Sequence, residues 1–148
     1  MSEIINITKV KPDAIMPSYQ TVHAAGMDLH ACLDEPRTLQ PMERAVIPTG
    51  LAIEMDPGFE AQIRARSGLS IKHGITMVNG IGTIDADYRG EIGMLVINLG
   101  TEPFVIEPGM RIAQLVVARY EQIKWQLVET LSESVRGDGG FGSTGTTN

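Results

Sequence analysis

The sequence predicts an all-β protein: a jelly-roll-like β sandwich or barrel with one short helix. Three observations carry this. Short apolar runs recur along the whole chain, several of them alternating with polar residues. Pro, Gly, Asn and Asp punctuate them at intervals of about ten residues. Few of the runs are long enough for an amphipathic helix.

The runs fall at residues 4–8, 29–33, 45–47, 51–55, 59–65, 75–78, 94–97, 104–106, 112–118 and 125–128. Between them stand Pro41, Pro48-Thr49-Gly50, Asp56-Pro57-Gly58, Asn79-Gly80, Asn98-Leu99-Gly100 and Glu107-Pro108-Gly109, all turn formers. Residues 59–66 alternate strictly, so Glu60, Gln62, Arg64 and Arg66 are expected on one face and the apolar members on the core. Ser67 is a plausible N-cap for a short helix over residues 68–73, which Gly74 ends. Ile81 and Ile84, the turn formers Asp85, Asp87 and Gly90, and the apolar run at 92–97 together read as a hairpin. Residues 1–130 form one domain, and residues 131–148 form a glycine-rich C-terminal arm that buries little apolar area and is expected to be mobile without ligand.

A chain of 148 residues suits one domain with a core of its own. The net charge of -6 argues against a nonspecific nucleic-acid binder, which needs a basic face to displace counterions. An anionic ligand would therefore require local arginines or a metal ion. No stretch approaches the ~20 apolar residues of a membrane span, and residues 1–10 do not read as an export signal. The single cysteine, Cys32, rules out an internal disulfide and reads as a small buried hydrophobe. A cytoplasmic protein with no membrane partner is expected.

The densest chemistry lies in Gly82-Thr83-Ile84-Asp85-Ala86-Asp87-Tyr88-Arg89-Gly90-Glu91. A carboxylate at its tip can act as a general base, and the tyrosine ring as a stacking floor or steric wall. The plainer reading is that both aspartates only supply turn hydrogen bonds. Arg66 beside a helix start is a candidate anion cradle, although an exposed strand-edge arginine is most often solvated. Asp28, after Gly26 at the start of a strand, could stand near Mg²⁺ through water or simply be a turn aspartate. Gln114 interrupts an apolar strand, where its amide orients water or phosphate unless it merely faces outward. In the arm, Phe141 with Arg136, Ser143 and Thr144 could close over a ligand, or the arm could be an inert terminus. His23, His30 and His73 are too dispersed for a zinc site or a Ser-His-Asp arrangement, and no Walker-type loop is present.

Five stretches taken in order resemble the trimeric dUTP pyrophosphatases, the dUTPase family: residues 25–29 (Ala-Gly-Met-Asp-Leu), 66–70 (Arg-Ser-Gly-Leu-Ser), 79–91, 111–114 (Arg-Ile-Ala-Gln) and 136–145. The resemblance implies a jelly-roll homotrimer whose active sites are built from all three chains. It implies hydrolysis of dUTP to dUMP and pyrophosphate, which keeps uracil out of DNA and supplies dUMP for thymidylate synthesis, with Mg²⁺ as cofactor. Carried over, the family pattern makes Asp85 the general base, with Gln114 and Arg136 completing the catalytic set. Arg66, Ser67 and Gly68 would meet phosphates, and Asn79, Thr83, Ile84 and Met94 would surround uracil and sugar. Tyr88 would exclude a ribose 2'-OH. Phe141 would cover uracil, with Gly142, Ser143 and Thr144 near the γ-phosphate, and Asp28 would hold Mg²⁺ through coordinated water, the metal resting mainly on substrate phosphates. Two rivals stay open on the residues alone: a dCTP deaminase-like enzyme, and a noncatalytic nucleotide-sensing β-sandwich.

Overall fold

The computed structural model describes residues 4–140. The chain forms β1 (Asn6–Lys9), β2 (Met27–His30), β3 (Arg37–Leu39), β4 (Arg44–Pro48), β5 (Leu51–Glu54), β6 (Phe59–Ala65), α1 (Ser67–His73), β7 (Ile75–Met77), β8 (Gly82–Ile84), β9 (Gly93–Asn98), β10 (Phe104–Ile106) and β11 (Arg111–Arg119). One sheet runs β2-β11-β6-β8 and another β4-β9-β7, while β1-β5 and β10-β3 form two-stranded ribbons. Every pairing is antiparallel. The fold is the expected mostly-β sandwich with one short helix.

The core gathers one apolar side from each element, including Leu29, Leu39, Ile47, Ile63, Ile75, Met94, Val96, Ile106, Ile112 and Leu115. The alternation in β6 works as read: Ala61 and Ile63 are buried, while Glu60, Gln62 and Arg64 stand on the other face. There the polar side chains link in series, Gln62 donating to Glu60 at 2.7 Å and Arg64 donating to Gln62 at 2.6 and 3.0 Å. Two buried polar residues make the junctions. Asn98 donates to Leu39 O at 3.0 Å and Glu102 O at 2.9 Å and accepts from Gly100 N, tying β9 to β3. Thr49 donates from Oγ1 to Ile92 O at 2.7 Å and accepts from Leu51 N, fixing the chain just before β9. A buried polar side chain left without such partners would cost ~1–3 kcal/mol.

Three local expectations change, and one strand is added. Residues 82–97 are no hairpin: β8 pairs with β6 and β9 with β4 and β7, so the intervening residues pass from one sheet to the other. Turn chemistry reveals that the chain bends there, and not which strand it then joins. Ser67 is the first residue of α1 and Arg66 the N-cap, with no side-chain capping bond; Gly74 does end the helix, at φ 70°. A side chain at Gly74 would also collide with the backbone of Gly100. β3 was not visible among the apolar runs, because its Arg37 and Thr38 are exposed and only Leu39 is buried. Residues 125–128 form no strand: Trp125 is 93% and Leu127 99% exposed, and an apolar alternation without a partner strand has no ladder to join.

Candidate active site

The predicted residues collect in two places. The first is the crossing between sheets. β8 ends on Thr83 and Ile84, delivering Asp85 to the rim of a cavity of about 320 Å³ that Asn79, Thr83, Ile84, Tyr88, Glu91 and Ile63 help to line. That volume is at the small end of ligand pockets and suits a nucleoside better than a whole nucleoside triphosphate. Tyr88 N donates to Asp85 O at 3.1 Å, turning the chain, and the Tyr88 hydroxyl donates to Glu91 O at 3.2 Å. Its ring lies so close over Gly90 that any Cβ there would strike it. Glycine at 90 is thus what lets tyrosine at 88 fold back as a wall. At the far end Glu91 accepts from Gly50 N at 2.8 Å, and Ile92 N donates to Leu51 O.

The second place lies where β2, β11 and the start of α1 meet. Asp28, Arg66, Ser67, Gly68, Lys72, His73 and Gln114 line a cavity of about 400 Å³. β2 and β11 set Asp28 opposite Gln114 in register, and Gln114 in turn opposite Arg64 on β6. Gln114 donates to Ala65 O at 2.9 Å, and its Oε1 occupies the space a side chain at Gly26 would need. That is a physical reason for glycine two residues before Asp28. Asp28 is nearly buried and sits between two arginines. One carboxylate oxygen pairs with Arg66 Nε at 3.0 Å and the other with Arg111 Nη1 at 3.2 Å. Arg66 also donates to Arg111 O at 2.9 Å. Asp28 therefore aims two guanidiniums, with one on each of its oxygens. Beside it the His30 pKa is lowered by burial, opposed by Asp28 and reinforced by Arg111 and Arg66; its Nδ1 is buried without a partner.

No residue is common to the two cavities. The first has Asp85 and Glu91 on its wall and no cationic side chain; the second holds Arg66 and Lys72. Met94 does not belong to either: its side chain is fully buried in the core, because residues on β9 alternate and it is Gly93 and Leu95 that face the first cavity. Arg136 is exposed, donates to Gly139 O at 2.8 Å, and meets neither cavity. Phe141, Gly142, Ser143 and Thr144 lie outside the described residues. Among the described residues no group of three or more His, Cys, Asp and Glu could cage a metal ion. Nor is any helix long and apolar enough to cross a membrane. Sequence reasoning missed Arg111 as the second partner of Asp28, although it opens the same run that supplies Gln114.

A mostly-β sandwich that presents a nucleoside-sized acidic-rimmed cleft and, elsewhere, an arginine cradle defines a nucleotide-binding protein of the jelly-roll class. Comparison with known proteins narrows the class. The dUTPase family model matches residues 12–145. The chain is 55% identical over 147 residues to the deoxyuridine 5'-triphosphate nucleotidohydrolase of Rickettsia akari, covering 95% of this chain and 99% of that one. It is 59% identical over 130 residues to the enzyme of the same name from Rickettsia felis, covering 88% of each. The dUTPase of Staphylococcus bacteriophage 80alpha, solved with dUPNHPP, superposes with a TM-score of 0.89 at 28% identity, covering 98% of this chain and all of that one. The chain belongs to the dUTPase family.

Proposed function

We infer that this protein is a dUTP diphosphatase, hydrolysing dUTP to dUMP and pyrophosphate by attack of water on the α-phosphorus. The observation that carries the reading is the joining of Asn79, Asp85 and Tyr88 in one nucleoside-sized cleft. Asn79 and neighbouring main-chain groups bond the uracil edge; cytosine fails because its donor and acceptor are reversed at the 4 position. Tyr88 packs on the deoxyribose and leaves no room for a 2'-OH. Asp85 takes the proton of the attacking water, a step that contributes ~10²- to 10⁴-fold in enzymes of this kind.

The same cleft offers no cation for a triphosphate, so the site is completed by a second copy of the chain. The Arg66, Ser67 and Gln114 cradle of a neighbouring subunit receives the phosphates, and Asp28 holds that cradle's arginines on target. A shared site of this kind requires a closed oligomer, and the family resemblance makes it a homotrimer. The unpartnered residues after β11 support assembly: Ile123, Trp125 and Leu127 alternate and stand 62%, 93% and 99% exposed, a row of apolar surface that a monomer would leave in water. The arm from residue 131 onward reaches an active site, where Arg136 and the residues that follow it close over bound nucleotide.

Membership of the dUTPase family supports Mg²⁺ as the cofactor. With no carboxylate cluster among the described residues, the chain fits a metal that arrives on the triphosphate, with Asp28 holding it through coordinated water, and not one resident in a protein cage. When bound, Mg²⁺ neutralises charge on the phosphates as pyrophosphate departs. The lone buried Cys32 suits a reducing, cytoplasmic setting.

The test is pyrophosphate release from dUTP, dTTP, dCTP and UTP side by side, with Mg²⁺ and then with chelator. Release confined to dUTP and lost on chelation is the expected outcome. Ammonia from dCTP would replace the reading with a deaminase, and tight binding without release would replace it with a sensor.

A further inference from the structure

We propose that Arg89 is a positioning residue for this reaction, a clasp that holds the crossing segment carrying Asp85 and Tyr88 against β5. Its guanidinium donates from Nη1 to Ala86 O at 2.6 Å and to Tyr88 O at 3.1 Å. From Nη2 it donates to Glu54 Oε1 at 3.3 Å. The other Glu54 oxygen accepts from Asn6 Nδ2 at 3.2 Å, so the chain of contacts ends on β1.

The need for such a clasp follows from the topology. Since β8 and β9 join different sheets, residues 85–90 have no neighbouring strand to fix them. Their remaining hydrogen bonds stay within the segment, Tyr88 N to Asp85 O and Tyr88 hydroxyl to Glu91 O. Among the described residues, the Arg89–Glu54 pair is the polar link between residues 85–90 and the body of the fold, while the bond from Gly50 N to Glu91 pins only the far end of the segment. Arginine suits the task because one planar guanidinium can satisfy two carbonyls and a carboxylate at once, whereas a lysine ammonium offers a single point of charge. Arg89 lies away from the nucleoside cavity, on a third cavity behind Asp85 and Asp87, so it acts through the loop and not on the substrate. Glu54 and Arg89 are both about half exposed, and an ion pair so placed adds little to folding stability. Its effect is on where Asp85 and Tyr88 stand.

The inference rests on the roles given above to those two residues, and the experiment separates the two failures. Arg89→Ala, Arg89→Lys, Glu54→Gln and Asp85→Asn are compared with the unaltered protein for kcat and KM on dUTP, for turnover of UTP, and for melting. A misplacement of about an ångström costs up to ~10²-fold in rate, so Arg89→Ala is expected to lose ~10- to 100-fold in kcat with KM changed less. Because the Tyr88 wall loosens, its preference for dUTP over UTP should narrow by ~10-fold, the order that a lost steric contact of this size commands. Melting should stay within about 2 °C of the unaltered protein. Arg89→Lys should recover part of both kinetic losses, with Glu54→Gln milder than either. Unchanged kcat and UTP preference in Arg89→Ala, with Asp85→Asn inactive, overturns the clasp alone. A kinetic loss that tracks a fall in melting temperature also overturns it. Full turnover by Asp85→Asn overturns the site on which the clasp depends, and the clasp with it.

Discussion

The nucleoside cleft and the arginine cradle are built on opposite principles. The cleft is made by shape: a segment crossing between two sheets, a ring folded over Gly90, and buried Ile84 and Ile63 behind. Its charged rim is acidic. The cradle is made by charge, with one nearly buried carboxylate splitting its two oxygens between Arg66 and Arg111. Each half lacks what the other has, and one chain does not bring them together. On the function proposed above, a substrate with a neutral flat end and a polyanionic end is divided between copies of one fold, each copy presenting both halves to different neighbours.

Asp85→Asn gives the largest expected effect on this contrast. It should bind dUTP almost normally and lose ~10²- to 10⁴-fold in turnover, because it removes the base and leaves the shape. Binding by calorimetry with turnover by pyrophosphate release checks both halves; normal turnover would take Asp85 out of the mechanism. Arg66→Ala strikes the cradle and should cost ~10- to 100-fold in kcat/KM, the worth of hydrogen bonds to charged groups, with uracil recognition preserved. A nucleoside-only ligand that binds this variant as before would sharpen the division of labour.

Mixing the two defective proteins after unfolding and refolding them together tests whether the halves belong to different subunits. If a site takes its cleft from one subunit and its cradle from another, random assembly leaves roughly a quarter of sites with both parts intact. Activity near that fraction is the expected result. No recovery in well-formed mixed oligomers would mean that each chain carries its own complete site.

Tyr88→Ala should narrow the preference for dUTP over UTP by ~10- to 100-fold, in line with the ~1–3 kcal/mol available to a lost steric contact in a pocket. Parallel turnover of the two nucleotides reads it, and an unchanged ratio would mean the wall lies elsewhere.

The smallest effect is a pH dependence of stability on the cradle side. His30 has a pKa below its ordinary value near 6.5 because burial disfavours the imidazolium, which Arg111 and Arg66 also oppose and Asp28 favours. Below pH 6.5 the unfolded chain therefore takes up a proton that the folded chain resists. The His30 contribution is complete above that pH and is lost as pH falls through the folded-state pKa. Melting temperature followed from pH 7.5 down to 5 should fall less steeply in His30→Asn than in the unaltered protein. Parallel curves would show that His30 is indifferent.

Much of this protein could be read before its fold was known, and the reasons are local. The strict alternation of β6 and the apolar run of β11 specify strands because side-chain direction has a period of two. Gly74 marks the end of α1 because left-handed backbone favours glycine. Asp85 and Tyr88 were visible in one compact motif, Arg66 and Ser67 in another, and Gln114 as the polar interruption of an apolar strand. Met94 stands buried in the core of this chain, and the apolar run at 92–97 does not say which side of β9 faces inward until β9 has its partners. The pairing of Asp28 with two arginines was not legible, because they come from 38 and 83 residues away along the chain. The sequence by itself determined the strand-and-turn rhythm and the chemical identities of the groups. Only the tertiary structure decided that residues 82–97 cross between sheets, that Arg89 reaches Glu54, and that cleft and cradle stand apart. Those outcomes depend on contacts between distant segments, and no local pattern encodes which distant segment a strand or side chain will meet.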